Sequence, residues 1–197
     1  VLKDRLYCDA PDGPRRRSAQ TVMHRIARDL ATLLSPVLTF TADEVYPLLP
    51  GAHGSVHEAL FPAVEQADAE VLARWEPLLA ARSVVTKALE EARNEKICAS
   101  SLEAQVTLRG SREALAPLRA HGARSDVFPG NLANLFIVSR VSVEETPGGA
   151  SGDSLVALVA RAAGSKCERC WTWSEAVGRL AHPGVCERCH QVLGTLS

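Results

Sequence analysis

The stretch Lys166–Cys189, KCERCWTWSEAVGRLAHPGVCERC, holds four of the chain's six cysteines in two Cys-x-x-Cys pairs, Cys167/Cys170 and Cys186/Cys189, with fifteen residues between the pairs. A two-residue gap lets both sulfurs of a pair turn toward one point. The longer gap lets a short hairpin bring the second pair round to complete a tetrahedron of thiolates, the geometry Zn²⁺ prefers in closed sites. Iron accepts the same four ligands. Two disulfides fit less well, because paired Cys-x-x-Cys outside a small secreted scaffold points to metal or redox chemistry. A thioredoxin-like dithiol needs one such pair opening a helix, and here there are two. Four protein ligands leave no position for water, so one structural Zn²⁺ is expected. Its binding free energy, on the order of 10 kcal/mol for such sites, then folds the last ~30 residues, which hold few large apolar side chains.

The remaining residues form an ordinary globular sequence of 197 residues, 46% hydrophobic, with a formal net charge of −1. No apolar run is long enough to span a bilayer, and VLKDRLYCDAP at the front has no apolar segment of signal-peptide type. Cys8 and Cys98 stand apart from the pairs, which suits a reducing cytoplasm. The chain begins with Val1 and reads as a piece of a longer one. Charge is uneven: residues 1–40 carry seven Lys/Arg against four Asp, and residues 41–80 one Arg against seven acids. A basic head followed by an acidic stretch accommodates a polyanion at one end only, although solvated surface explains it equally well.

Asp12-Gly13-Pro14 reads as a turn, and Ser18 as the cap of a long helix. Within it Val22, Met23, Ile26, Leu30, Leu33, Leu34 and Val37 recur at three- and four-residue steps until Pro36 bends or ends it. Thr41-Ala42-Asp43-Glu44 has the form of a capping box opening a short helix, which Pro47 and Pro50 close. Residues 50–68 read as a loop. A third helix is expected from about Asp68 to Glu95, with a break or kink at Pro77. Helices with one apolar stripe each, joined by short connections, make an antiparallel bundle.

Near residue 100 the period changes to two. LEAQVTLRG (102–110) alternates as a strand, Ser111–Ala120 reads as a short helix, Phe136–Val143 as a second strand and Leu155–Ala162 as a third, with a linker over 146–153. The expected organisation is mainly α: a helical domain over 1–98, a small α+β unit over 99–162 and a zinc-binding tail over 163–197.

Neither a phosphate-cradling glycine loop nor a nucleophile elbow occurs; the six histidines are scattered, His53 and His57 flank a Gly-Ser turn with no carboxylate or Cys partner at recognisable spacing, and His190, next to Cys189, adds nothing to a site that four thiols complete. No catalytic residue is assigned; the chain reads as a binding module. Nucleic acid is a physically reasonable partner. Arg15, Arg16 and Arg17 precede a helix N-terminus, Arg93 and Lys96 close the third helix, and in the tail Arg169, Arg179 and Arg188 alternate with Trp171 and Trp173. Trp171 is expected to pack under the metal loop as its core; Trp173 suits core or contact equally.

Several segments resemble the anticodon-binding region of bacterial isoleucyl-tRNA synthetases. In order they are Lys3–Asp9, Arg16–Val22, Phe40–Val45, Ser55–His57 with Phe61-Pro62, Ser101–Ala104, Leu135–Ser139, Lys166–Trp171, Val177-Gly178, His182-Pro183 and Cys186–Cys189. The resemblance spans nearly the whole chain. It implies a C-terminal part of a class I enzyme that joins isoleucine to its tRNA with ATP, in which the helical domain meets the anticodon arm and the zinc-bearing tail helps hold it. It further implies a monomer working with the rest of the synthetase chain. ATP would be needed only elsewhere, since the family's His-x-Gly-His and Lys-Met-Ser-Lys-Ser elements do not occur here. Tyr46, where the family commonly has Trp, and Cys98-Ala99, where it tends to Ile-Gly, are departures in scaffold stretches. The alternative is an independent four-cysteine zinc ribbon that binds nucleic acid or protein.

Overall fold

A computed structural model describes residues 2–123, 131–146 and 155–195. The chain forms two compact units that divide between Ala67 and Asp68. The boundaries expected at 98 and 162 follow changes of sequence period. Packing groups the chain differently, because the long helix after Asp68 shares its core with the sheet.

The first unit contains α1 (Leu2–Cys8), α2 (Pro14–Leu34) and α3 (Thr39–Val45). Helix α2 begins a turn earlier than expected: Gly13 is its cap and Pro14 its first residue. Proline suits that place, since its missing N–H has no partner there in any case. Ser18 therefore lies inside the helix, and Arg15–Arg17 occupy its first turn. The helix stops at Leu34, and Pro36 follows. The expected capping box is also corrected. Helix α3 opens at Thr39 after Leu38, and the Asp43 carboxylate accepts from Ser55 Oγ (2.5 Å) and Val56 N–H (3.1 Å). This pins a 3₁₀ turn, Val56–Glu58, inside what the sequence left as loop.

The unit's core is small: Ala31, Ala42, Tyr46, Ala52 and Val56, with Tyr46 5% exposed. A buried Tyr thus fills the place where the resembling family commonly has Trp. The stripe along α2 does not enter this core. Val22, Met23, Ile26, Leu30, Leu33, Leu34 and Val37 all remain substantially exposed, while Ala19, Ala31 and Thr32 are the helix's buried residues.

The second unit opens with α4 (Ala69–Asn94), capped by Asp68, whose side chain accepts from the N–H groups of Glu70 and Val71. The helix runs through Pro77 without a break. Leu78, Ala81, Val85, Leu89 and Ala92, three and four residues apart, form its buried stripe. They pack on a three-stranded sheet in the order β2-β1-β3: β1 (Ala104–Gly110), β2 (Arg140–Glu145) and β3 (Val156–Arg161). Strand β1 pairs parallel to β2, with Val106 beside Val141, and antiparallel to β3, with Val106 beside Val159. A parallel pair requires a crossover. Helices α5 (Arg112–Gly122) and α6 (Asn131–Phe136) supply it and bury Leu115, Leu118, Leu132, Leu135 and Phe136. Cys98 joins the same core, where burial pushes its thiol above the ordinary range.

Strand β2 starts four residues later than the sequence suggests. Phe136 ends α6, Ile137 takes φ +59°, and Val138 N–H returns to Ala133 C=O. The apolar run plugs the end of a helix instead of alternating across a sheet. Most of the linker expected at 146–153 lies outside the described residues. Among the described residues no helix is long and apolar enough to cross a membrane.

Candidate metal centre and nucleic-acid interface

Two short strands, β4 (Ser165–Lys166) and β5 (Trp173–Ser174), pair antiparallel and bracket the first cysteine pair. Inside the bracket the backbone turns back on itself: Cys167 N–H donates to Thr172 C=O at 2.8 Å, and Trp171 N–H to Cys167 C=O at 2.9 Å. Gly164 enters the hairpin at φ +90°, where a Cβ would collide with the Ser174 carbonyl group. The second pair belongs to α7 (Glu187–Gly194). Cys186 is its cap and Cys189 lies in its first turn, so both sulfurs meet the positive end of the helix. Glu168 N–H donates to Gly184 C=O, tying the two halves together.

The four sulfurs lie within 4.8 Å of one another, with Cys170 Sγ and Cys186 Sγ at 3.6 Å. Zn–S bonds of about 2.3 Å place tetrahedral sulfurs about 3.8 Å apart, so the quartet fits a metal ion of this kind. No pair is joined as a disulfide. Hydrogen bonds from Cys186 and then Cys189 hold the Cys170 thiol far below its ordinary range, and the same bonds raise the two donors. Among the described residues, Val177, Val185 and Leu193 add apolar packing around the sulfurs.

Trp171 is not part of this small core. It is 60% exposed at φ +66°, and Lys166 Nζ lies 5.2 Å from the ring centroid. The left-handed backbone needed to close the cysteine turn throws the side chain outward. Trp171 and Lys166 are therefore surface residues that the sequence reading missed. Trp173 is half-buried, with the Arg161 guanidinium 5.1 Å from its ring. Its N–H donates to Ser139 Oγ at 2.7 Å, and that hydroxyl donates in turn to Leu102 C=O.

The basic residues singled out in the sequence divide between the units. In the first, Arg15 is engaged internally, 3.2 Å from Asp9 and 4.0 Å from Asp4, and so clamps α1 to α2. Arg16 is half-buried, and the exposed Arg17 reaches Asp12 at 3.9 Å. In the second unit Arg93 and Lys96 are exposed at the end of α4, where cations also complement the helix dipole. Arg179 is exposed on the tail, and Arg169 and Arg188 are half-buried beside the cysteines that precede or follow them.

A family model described as the anticodon-binding domain of tRNA ligase matches residues 1–108, and this chain belongs to that family. Beyond the matched segment, the similarity continues to the end of the metal centre. An isoleucine–tRNA ligase of Syntrophotalea carbinolica is 44% identical over 201 residues, covering 98% of this chain and 21% of the relative. That of Geobacter sulfurreducens is 41% identical over 198 residues, covering 96% and 21%, and that of Kosmotoga olearia 40% over 199 residues, covering 98% and 21%. The chain spans about a fifth of the length of these relatives.

Proposed function

We propose that this chain is the anticodon-arm-binding, zinc-carrying C-terminal part of an isoleucine–tRNA ligase. The carrying observation is the near-complete cover of the chain by isoleucine–tRNA ligases at about 40% identity, the cysteine quartet included. The aminoacylation itself, with its use of ATP, belongs to the remainder of that ligase; the segments described here bind and orient tRNA. A cytoplasmic monomer is the corresponding whole protein. The helices complete the antiparallel bundle of a class I anticodon-binding domain.

Cys167, Cys170, Cys186 and Cys189 would hold one Zn²⁺, which supplies structural cross-linking and no reaction step. By fixing the hairpin and α7 to one point, the ion sets the directions of Arg169, Trp173, Arg179 and Arg188. Arg16, Arg17, Arg93 and Lys96 would meet backbone phosphates, and exposed Trp171 with Lys166 would offer a ring and a charge to an unpaired base. Arg15 serves the scaffold through Asp9.

The test is binding of the zinc-loaded chain to an isoleucine-accepting tRNA transcript at moderate salt, beside the same transcript with a changed anticodon. Preference for the native anticodon is expected. Equal, salt-sensitive binding would reduce the role to holding phosphates, and absence of binding by both this chain and the full-length ligase would overturn the reading.

A further inference from the structure

We infer that Cys170 is an oxidation site: a hydroperoxide converts its sulfur to the sulfenic acid, Cys186 closes a disulfide onto it, and the quartet reversibly releases its metal ion. The inference rests on the zinc-carrying reading above and adds a reaction of the ligands themselves. Exposure singles out the sulfur that solvent meets first. Cys167 and Cys189 are 0% and Cys186 is 5% exposed, whereas Cys170 is the one half-buried member of the four. Attack on a peroxide follows thiolate character and access, and a metal-bound cysteine is already a thiolate. Cys8 and Cys98, which belong to no metal group among the described residues, are buried.

In the first step the Cys170 thiolate attacks the hydroperoxide. An S–O bond forms, the O–O bond breaks, and the leaving alkoxide or hydroxide takes a proton from water. The sulfur loses two electrons and the peroxide gains them. In the second step the Cys186 thiolate, 3.6 Å from Cys170 Sγ, forms the S–S bond and expels hydroxide. Closing that gap to an S–S bond of about 2.05 Å brings the sulfurs together by about 1.5 Å. Cys186 can follow, because it stands before α7 with extended backbone (φ −76°, ψ 169°) and its side chain makes no capping hydrogen bond. Cys189 lies inside the first turn of that helix. Two of the four ligands are then consumed, and two thiolates alone release the ion to water. The new bond joins the hairpin to α7, the same two parts that the ion joined. The oxidised tail therefore stays closed at one point, and reduction by a dithiol restores the site.

The test treats the zinc-loaded chain with limiting hydrogen peroxide and follows it with a chromophoric zinc chelator and by peptide mapping without reduction. Trypsin cuts after Lys166, Arg169, Arg179 and Arg188, so each of the four cysteines falls in its own peptide and every pairing has its own mass. The first disulfide should join the Cys170 and Cys186 peptides and appear in step with loss of the bound ion, while Cys8 and Cys98 stay reduced. Dithiothreitol with added zinc should return both the thiols and the ion. A first disulfide of any other pairing, oxidation of Cys170 without a disulfide, or zinc retained after the link has formed would each overturn the inference and leave the zinc-carrying reading intact. A chain that holds no zinc before treatment, although prepared with the metal, would overturn both.

Discussion

Cys186 holds two positions at once, corner of the sulfur quartet and cap of α7. Replacing its sulfur with a hydroxyl removes a metal ligand, while serine still suits the cap position, so any unfolding of the tail follows from the lost metal. We expect Cys186→Ser to lose bound zinc, measured by elemental analysis, and to lose the amide dispersion of residues 165–195 while the helices of the first unit keep their circular dichroism. Gly164 makes a backbone demand instead. At φ +90° with the Ser174 carbonyl against it, Gly164→Ala should disturb the β4–β5 pairing and weaken metal affinity without removing any ligand. Asp43 carries a pH signature. The Ser55 hydroxyl and the Val56 N–H hold its carboxyl below the ordinary carboxylate range. Its contribution is then complete above the unfolded carboxylate value and is lost as pH falls through the lower folded one. The amide signals of Ser55 and Val56 should move in that acid window, and Asp43→Asn should remove the transition.

At the scale of elements, α4 is the member most firmly anchored in a core. Leu78 is 1% exposed among Val85, Leu89 and the sheet, so Leu78→Ala should lower the stability of the second unit by about 2–5 kcal/mol in urea unfolding. This helix was legible because its cap, stripe and polar end all agree: Asp68 opens it and five buried residues follow at helical steps. The alternation Ala104, Val106, Leu108 made β1 equally plain. Local pattern misled where tertiary contacts chose between options. Thr41–Glu44 looks like a cap, yet Asp43 found better donors twelve and thirteen residues away. Phe136-Ile137-Val138 looks like strand because a buried helix end and a buried strand are both simply apolar. Within the metal centre the ligands followed from spacing alone. The outward Trp171 did not, since its direction depends on one backbone torsion.

For the whole molecule, two sources of stability act in separate places. The sheet and α4 share a core of large aliphatic side chains, whereas the tail has Val177, Val185 and Leu193 around four sulfurs. Chelation should therefore melt residues 165–195 selectively, seen as a low-temperature calorimetric transition that disappears when zinc is restored. Because the ligands bind as thiolates, acid should release the ion by protonating them, and the midpoint of release should fall as free zinc is raised. A single transition insensitive to chelator would contradict this division.

Ser139 bridges these two regimes: it donates to Leu102 beside β1 and accepts from Trp173 inside the tail's hairpin. Its hydroxyl acts as a rivet between a frame and an arm. An arm can be intact and still point the wrong way. Loosening this joint would leave zinc content, helicity and charge unchanged while blurring the angle at which the arm meets its cargo, so a chain correct in every part could still lose its aim.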